Sequence, residues 1–441
     1  MIEYRNLRVA ILGAGSVGAQ VASLLIEHGD ELAGRVGAGL ELVGVAVRDP
    51  KAKRTTDIPK HLITTDAESL ILGADIVIEL IGGLEPARTY LELAMNSGAD
   101  VITANKALLA THGPELFAIA EQVGAQLYYE AAVGGAIPII RPLRDSLAGD
   151  RVHRILGIVN GTTNYILDRM DTEGDTLAEA LAAATALGYA EADPTADIGG
   201  FDAAQKATIL ASLAFHTAVP LESVYREGIE KITHEQVVAA RAAGYVVKLL
   251  AVCERVTDAE TGIEGVSTRV HPALVPLAHP LAAVHGANNA VFLEAEAAGS
   301  LMFYGAGAGG IQTASAVLGD VVSAARRHVI GGPGVAESTQ ANLPILPISS
   351  VTTRYQITLE VADQPGVLAA IATMFSEHDV SVEVVQQSVR PEPVQEGNEP
   401  TATLVIGTHE ATESALAATV ASLEASKSVA EVTSVLRVEG L

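Results

Sequence analysis

Between Gly188 and Lys206 the chain reads GYAEADPTADIGGFDAAQK, gathering Glu191, Asp193, Asp197, Asp202 and one lysine around a proline and paired glycines. Gly199 and Gly200 should close a loop, so that Asp202 falls in the first turn of a helix and Lys206 follows on the same face. A carboxylate and an ammonium would then point into one place, as proton transfer requires. The spacing serves equally well as a capping Asp with an exposed i,i+4 ion pair, worth a few tenths of a kcal/mol. The pattern alone does not choose between the two.

A second cluster is Gly13-Ala14-Gly15-Ser16-Val17-Gly18, lying directly between the strand-like run Leu7–Leu12 and the helix-patterned Val17–His28. In G-x-G-x-x-G, Gly13 permits the tight turn, Gly15 lets the backbone approach a pyrophosphate, and Gly18 lets helix and strand pack closely. Ser16 and Val17 would open the helix, whose N-terminal amides favour an anion. A dinucleotide is the expected ligand. After the second strand, Arg48, Lys51, Lys53 and Arg54 stand where NAD-specific proteins usually place a carboxylate, which favours NADP. Asp49 keeps NAD open, and a solvated basic turn is the other reading of these charges. A further glycine run, Gly305, Gly307, Gly309 and Gly310, reads as a loop feeding a helix N-terminus.

The elements that must carry these residues follow from periodicity. Leu7–Leu12, Leu42–Val47, Asp75–Leu80, Asp100–Thr103 and Gln126–Glu130 read as buried strands alternating with helices, which predicts an α/β, Rossmann-type doubly wound parallel sheet. After about Pro138 longer helices, Thr176–Leu187 and Phe201–Phe215, mix with β-rich Gly262–Val270 and Asn289–Glu296, predicting a second, α+β domain. The expected boundaries are 1–138 for the nucleotide domain, with the helix at about 311–330 returning to it, and 139–310 for the second domain. The stretch Gly331–Thr353 reads as a linker, and residues 354–441 as βαββαβ, a ferredoxin-like unit.

Bulk properties narrow the partners. The formal charge is −25 with no offsetting basic cluster, which argues against nucleic acid and anionic membranes. No apolar run approaches a membrane-spanning length. The lone cysteine, Cys253, allows no intrachain disulfide, the opening MIEYRNLRVAILG carries no leader pattern, and the twelve histidines do not cluster as transition-metal ligands. A cytoplasmic protein acting on small molecules is expected.

The run Gly188–Lys206 resembles the signature of the homoserine dehydrogenase family, G-[aromatic or aliphatic]-x-E-x-D-P-x-x-D-[aliphatic]-x-G-x-D-x-x-x-K, at every fixed position. Similarity extends to Thr103-Ala104-Asn105-Lys106, to Glu130–Pro138, to Asn160–Tyr165 and to Gly305–Gly310. The resemblance implies NAD(P)-dependent interconversion of aspartate semialdehyde and homoserine. It makes Lys206 the acid/base and Lys106 a second cation between nicotinamide and substrate. It also implies that Glu191 and Asp202 hold the substrate ammonium, that Asp197 supports their loop, and that Thr162 lies near the substrate. Thr103, Lys106 and Gly188 are implied at the cofactor, with Gly305–Gly310 closing over its nicotinamide side. Glu130, Val133, Gly135 and Ile137 correspond to the family's monovalent-cation site, suited to sodium. A plain turn joining two domains is the alternative there.

Asp363-Gln364-Pro365-Gly366-Val367-Leu368 resembles the ligand loop of ACT domains, which implies an amino-acid effector at Asp363, Gly366 and Val367. Threonine, as end product of the branch, is the expected effector. A polar, proline-containing insert at Arg390–Thr401 departs from usual ACT spacing. The resemblance makes the second, α+β domain the substrate and dimerisation domain, and so implies a homodimer, or a tetramer through ACT pairing. Two other readings compete: a related dehydrogenase with another amino-acid or semialdehyde substrate, against which the Glu191–Lys206 signature argues, and a non-catalytic amino-acid sensor, which has no need of Lys106 and Lys206.

Overall fold

The structure, a computed structural model, describes residues 5–259, 261–332, 337, 339–389 and 401–440. Of the expected insert at Arg390–Thr401, residues 390–400 lie outside the described residues, as do 333–336 and 338 of the expected linker.

The chain opens with β1 (Leu7–Leu12), α1 (Ser16–Glu27), α2 (Gly29–Val36), β2 (Leu40–Ala46), β3 (Ile63–Thr64), α3 (Ala67–Leu72) and β4 (Ile76–Glu79). It continues with α4 (Ala87–Asn96), β5 (Asp100–Thr103), α5 (Lys106–Val123), β6 (Leu127–Tyr128) and β7 (Val152–Ile158). Next come α6 (Gly161–Thr172), α7 (Leu177–Ala186), α8 (Thr195–Ile198), α9 (Phe201–Phe215), β8 (Tyr225–Arg226), α10 (His234–Ala242), β9 (Tyr245–Thr257) and β10 (Glu264–Pro276). After β11 (Asn288–Ala295), β12 (Gly299–Ala306) and α11 (Gly310–Ile330), the chain ends in β13 (Thr352–Ala362), α12 (Val367–Glu377), β14 (Val382–Val389), β15 (Thr401–Thr408), β16 (Ala411–Thr412), α13 (Glu413–Ala425) and β17 (Val429–Val438). Two compact units result: residues 1–161, 201–224 and 287–343 form one, and 162–200, 225–286 and 344–441 the other.

In the first unit the parallel sheet runs β3-β2-β1-β4-β5-β6. Its central strands read as unbroken apolar runs because both faces are covered. Val9 and Ile11 of β1 share one core with Ile76 and Ile78 of β4, Ala19 and Ala22 of α1, and Val317, Val321 and Ala324 of α11. Each such Val or Ile contributes about 1.5–3 kcal/mol on burial, so α11 is part of the nucleotide-domain layer by packing. The same unit holds the antiparallel strands β7, β11 and β12.

The second unit contains the long antiparallel pair β9–β10, with β8 parallel to β10. Residues from β13 onward form βαββαβ with strand order β17-β13-β15-β14 over a core that includes Ile357, Leu359, Phe375 and Leu416, the expected ferredoxin-like ACT fold. Strand β17 also pairs in parallel with β10, Ala273 opposite Arg437.

Three expectations are corrected. The fifth strand is only Leu127–Tyr128, because Glu130 turns into a short 3-10 segment tied down by side chains. Gly305 and Ala306 are strand residues paired with Asn289 and Asn288, so the glycine loop shortens to 307–309 and α11 begins at Gly310. The linker is not free throughout, since Val266 N donates to Pro344 O at 2.9 Å and Leu346 N to Val266 O at 2.8 Å.

Candidate active site

The parallel sheet reverses its strand order between β1 and β4, and in such sheets ligands bind beyond the carboxyl ends of the strands at that point. Gly13 follows β1 with φ +99°, a conformation that favours glycine, and a Cβ there would lie 2.6 Å from Leu80 O beyond β4. A Cβ on Gly18 would collide with the carbonyl oxygen of Gly13, so the close helix–strand packing expected of this glycine is present. Gly15 instead borders open space, and the first turn of α1, begun by Ser16 and Val17, carries no acidic side chain. The N-terminal amides therefore fit an anionic group such as a pyrophosphate.

Two further segments converge on this loop. At Gly310, which follows the 307–309 turn, a Cβ would be 2.9 Å from Ser16 O. The turn at Val133–Ile137 meets the glycine run where Ala136 N donates to Ala306 O at 3.1 Å, and Gly135 closely approaches Gly307. Beyond β2, Arg48 is exposed and has no partner among the described residues. Arg54 is spent differently: its guanidinium donates to the carbonyls of Asp49, Pro50 and Ala52, which shapes the basic loop from within.

Glu79, fully buried at the end of β4, organises the route to the lysines. Its carboxylate accepts from Ile81 N (2.7 Å), Gly82 N (3.0 Å) and Thr103 Oγ1 (2.6 Å). Thr103 thus has its hydroxyl proton committed to Glu79, while its oxygen accepts from Asn105 N. Asn105 caps α5 by accepting from Leu108 N and donates Nδ2 to Gly83 O at 2.6 Å. Lys106 follows as the first residue of the helix.

Lys106 Nζ meets Asp202 Oδ1 at 2.9 Å. Lys206 Nζ donates to Asp202 Oδ2 and to Val159 O, both at 2.7 Å. Asn160 Nδ2 donates to Asp202 Oδ2 at 2.9 Å. Lys206 is 9% exposed, whereas the Lys106 side chain is 40% exposed. An ammonium has three N–H donors, so Lys206 keeps one unspent among the described residues. Burial works to raise the Asp202 pKa, but the charges of Lys206 and Lys106 and the hydrogen bonds from Lys206 and Asn160 outweigh it and hold the carboxyl far below its usual range. The i,i+4 pair is therefore largely buried rather than an exposed surface pair. Asp202 was expected to face a substrate ammonium; here its two oxygens serve three donors of the chain.

The rest of the signature lies in the second unit. Glu191 is exposed and unpaired among the described residues, Asp197 is half-buried in α8, and Gly188 is exposed with φ +76°. Buried Thr162 donates its hydroxyl to Tyr189 O at 2.8 Å, tying the start of α6 to this loop.

Glu130 is 1% exposed, and its carboxylate accepts from Ile139 N (2.6 Å), Ile140 N (2.8 Å), Arg141 N (3.0 Å) and Arg141 Nε (2.8 Å). Those bonds fill a carboxylate's lone-pair positions. No hydrogen bond to the carbonyls of Val133, Gly135 and Ile137 is found among the described residues. Behind the turn, Asp320 accepts from Glu130 N at 2.8 Å, and burial, opposed by Arg141 and reinforced by Glu130, pushes its carboxyl up to about 7. In the C-terminal fold the Asp363–Gly366 loop sits between β13 and α12, with Asp363 accepting from Gln387 Nε2 at 3.4 Å and Gly366 capping the helix before Val367.

Glu79, Arg141 and Asp320 escaped sequence reasoning, and Asn160 entered only within the Asn160–Tyr165 run, without its bond to Asp202. A carboxylate ending the apolar run IVIE was the one available signal for Glu79, while the others declare themselves only through contacts distant in sequence.

Comparison with known proteins matches residues 13–130 to the family described as homoserine dehydrogenase, NAD binding domain, residues 138–322 to homoserine dehydrogenase, and 355–425 to the ACT domain. The homoserine dehydrogenase of Mycobacterium tuberculosis is 54% identical over 443 residues, covering 99% of each chain. A crystal structure of a homoserine dehydrogenase from Thiobacillus denitrificans superposes with TM-score 0.89 at 37% identity, covering 99% of each chain. A hyperthermophilic archaeal homoserine dehydrogenase in complex with NADPH has TM-score 0.61 and 26% identity over 75% of this chain and 99% of that one. No described helix is long and apolar enough to cross a membrane.

Proposed function

The chain belongs to the homoserine dehydrogenase family, and on that premise we propose how its residues divide the work of this oxidoreductase. The observation that carries the reading is the contact of both lysines with one carboxylate, Asp202.

A bound reduced nicotinamide supplies the hydride to the aldehyde carbon of aspartate semialdehyde. Lys206 gives a proton from Nζ to the carbonyl oxygen, forming the hydroxyl of homoserine, and takes it back in the oxidation. Its bonds to Val159 O and Asp202 fix two N–H directions and leave the third for that oxygen. Lys106 adds a second positive charge against the alkoxide character of the transition state. Asp202 aligns both side chains, one on each carboxylate oxygen. The substrate ammonium then falls to Glu191, on a loop supported by Asp197 and by the Thr162 bond to Tyr189 O.

NADP is the preferred cofactor in this reading, with Arg48 taking a 2′-phosphate and Arg54 holding the loop that presents it. Gly13 to Gly18 and Gly307 to Gly309 cradle the rest, with Thr103 at the end of β5 and Gly188 at its turn as further cofactor residues. Sodium, if bound, is held by the carbonyls of Val133, Gly135 and Ile137, with Glu130 stapling the turn. Threonine acts as effector through Asp363, Gly366 and Val367 in a cytoplasmic homodimer or homotetramer.

The test is substrate discrimination by wild type and Glu191→Ala, followed by the absorbance of the reduced nicotinamide. Homoserine should support turnover with NADP and fail to saturate the variant. Turnover with homoserine that is indifferent to Glu191 would remove the assigned ammonium contact, and no turnover with homoserine at all would remove the reading.

A further inference from the structure

The loop that carries Glu191 ends at Ile198-Gly199-Gly200, and that end is held by the segment around β8. Arg226 donates from Nη1 to the carbonyl of Gly199. Ile229 N donates to Ile198 O at 2.8 Å. Gly228 comes so near that a Cβ would collide with Ile198 O and lie 2.7 Å from Gly199 Cα. The last carbonyls of a helical turn lack intrahelical donors, and a guanidinium is well suited to them. Arg226 and Ile229 together take the two carbonyls at the end of α8.

The grip is itself anchored in the ACT fold. Glu227 N donates to Val270 O at 2.8 Å, fixing the segment on β10, while the Glu227 carboxylate pairs with Arg437 of β17 at 3.3 Å. Arg437 is 9% exposed, and its guanidinium lies 5.2 Å from the ring centre of Tyr225 and 5.5 Å from that of Tyr355. It also pairs with buried Glu413 at the start of α13, which accepts from Tyr355 OH at 2.7 Å. Residues that follow one another at 225, 226 and 227 thus touch the ACT fold on one side and the substrate loop on the other.

We propose that Arg226 is a positioning residue of the dehydrogenase reaction, holding the Glu191–Gly200 loop in its substrate-binding conformation, and that the Arg437–Glu227 pair fixes Arg226 from the ACT fold. The inference rests on the assignment of Glu191 and Asp197 to substrate binding. Arg226 is exposed, so its bond to the loop adds little to global stability, and thermal unfolding separates an effect on the loop from one on the fold.

The experiment compares wild type, Arg226→Ala, Arg226→Lys and Glu227→Gln in steady-state oxidation of homoserine, with thermal unfolding in parallel and Lys206→Ala as reference. Arg226→Ala should raise KM for homoserine about three- to tenfold, the scale of one net hydrogen bond, with KM for the cofactor and Tm unchanged. Arg226→Lys, which still reaches the carbonyl with one donor, should recover at least part of the difference. Glu227→Gln should raise the same KM by a smaller factor, since it leaves the buried Arg437–Glu413 pair intact.

Wild-type KM in Arg226→Ala overturns the positioning role, as does a loss that tracks a fall in Tm and affects both substrates alike. Wild-type KM in Glu227→Gln overturns the ACT anchoring. An inactive Lys206→Ala beside an unaffected Arg226→Ala leaves the functional reading standing without this inference, whereas a fully active Lys206→Ala removes both.

Discussion

Lys106 Nζ stands 2.9 Å from Asp202 Oδ1, joining the first residue of α5 to the second residue of α9. Across the same carboxylate, Lys206 reaches Oδ2 at 2.7 Å. Two ammonium groups this near each other repel, and a buried anion between them makes the arrangement possible. Asp202→Asn keeps the shape and removes the charge. The account expects kcat to fall by at least about a hundredfold, within the range of a lost acid–base arrangement, while circular dichroism shows the fold retained. A variant with wild-type kcat would mean that the lysines do not depend on Asp202.

In the proposed reading Arg48 separates the two cofactors. Arg54 is bound to its own loop carbonyls, and the 2′-phosphate is assigned to Arg48, the first basic side chain beyond β2, rather than to Lys51 or Lys53 further along the loop. Arg48→Ala should raise KM for NADP about tenfold, as for a charge-assisted hydrogen bond in a partly exposed setting, and leave KM for NAD unchanged. Equal effects on both cofactors would count against a phosphate contact.

The buried Asp320 makes stability depend on pH. Its folded-state pKa, about 7, lies above the ordinary 3.8, so between those values the folded protein keeps a proton that the unfolded chain has released. Its contribution is fully present below about pH 4 and is lost as pH rises through about 7, by up to about 1.4 kcal/mol per pH unit. Asp320→Asn can still accept from Glu130 N but cannot ionise. In urea unfolding the variant should therefore gain on wild type between pH 5 and pH 8, and a constant difference would contradict the assignment.

Much of this was legible in the sequence because each signal is local. The glycine loop is fixed by its position between an apolar strand and a helix, and Asp202 and Lys206 share a face because they are one turn apart. The second partner of Asp202 was not legible, since Lys106 lies far away in sequence and only the packing of α5 near α9 brings it in. The hydrogen bonds of Glu130 were not legible for the same reason: the backbone amides of Ile139, Ile140 and Arg141 that saturate its carboxylate belong to a turn whose path no periodicity encodes. Strand β7 was passed over because Val152–Ile158 alternates weakly and is recognisable mainly by its pairing with β11.

Threonine tests the regulatory reading. A saturating concentration should lower the rate of wild type, and Asp363→Ala should blunt that response, because the carboxylate borders the loop before α12. A wild-type rate that threonine leaves unchanged would exclude it as the effector of this domain.

The central claim is that Lys206 moves the proton, and the most direct measurement is a single turnover of aspartate semialdehyde with saturating NADPH in wild type and Lys206→Ala, following the loss of reduced nicotinamide. The account predicts a rate about 10²–10⁴ lower in the variant, with NADPH affinity and Tm close to wild type. A variant that consumes NADPH at the wild-type rate would show that the proton comes from elsewhere.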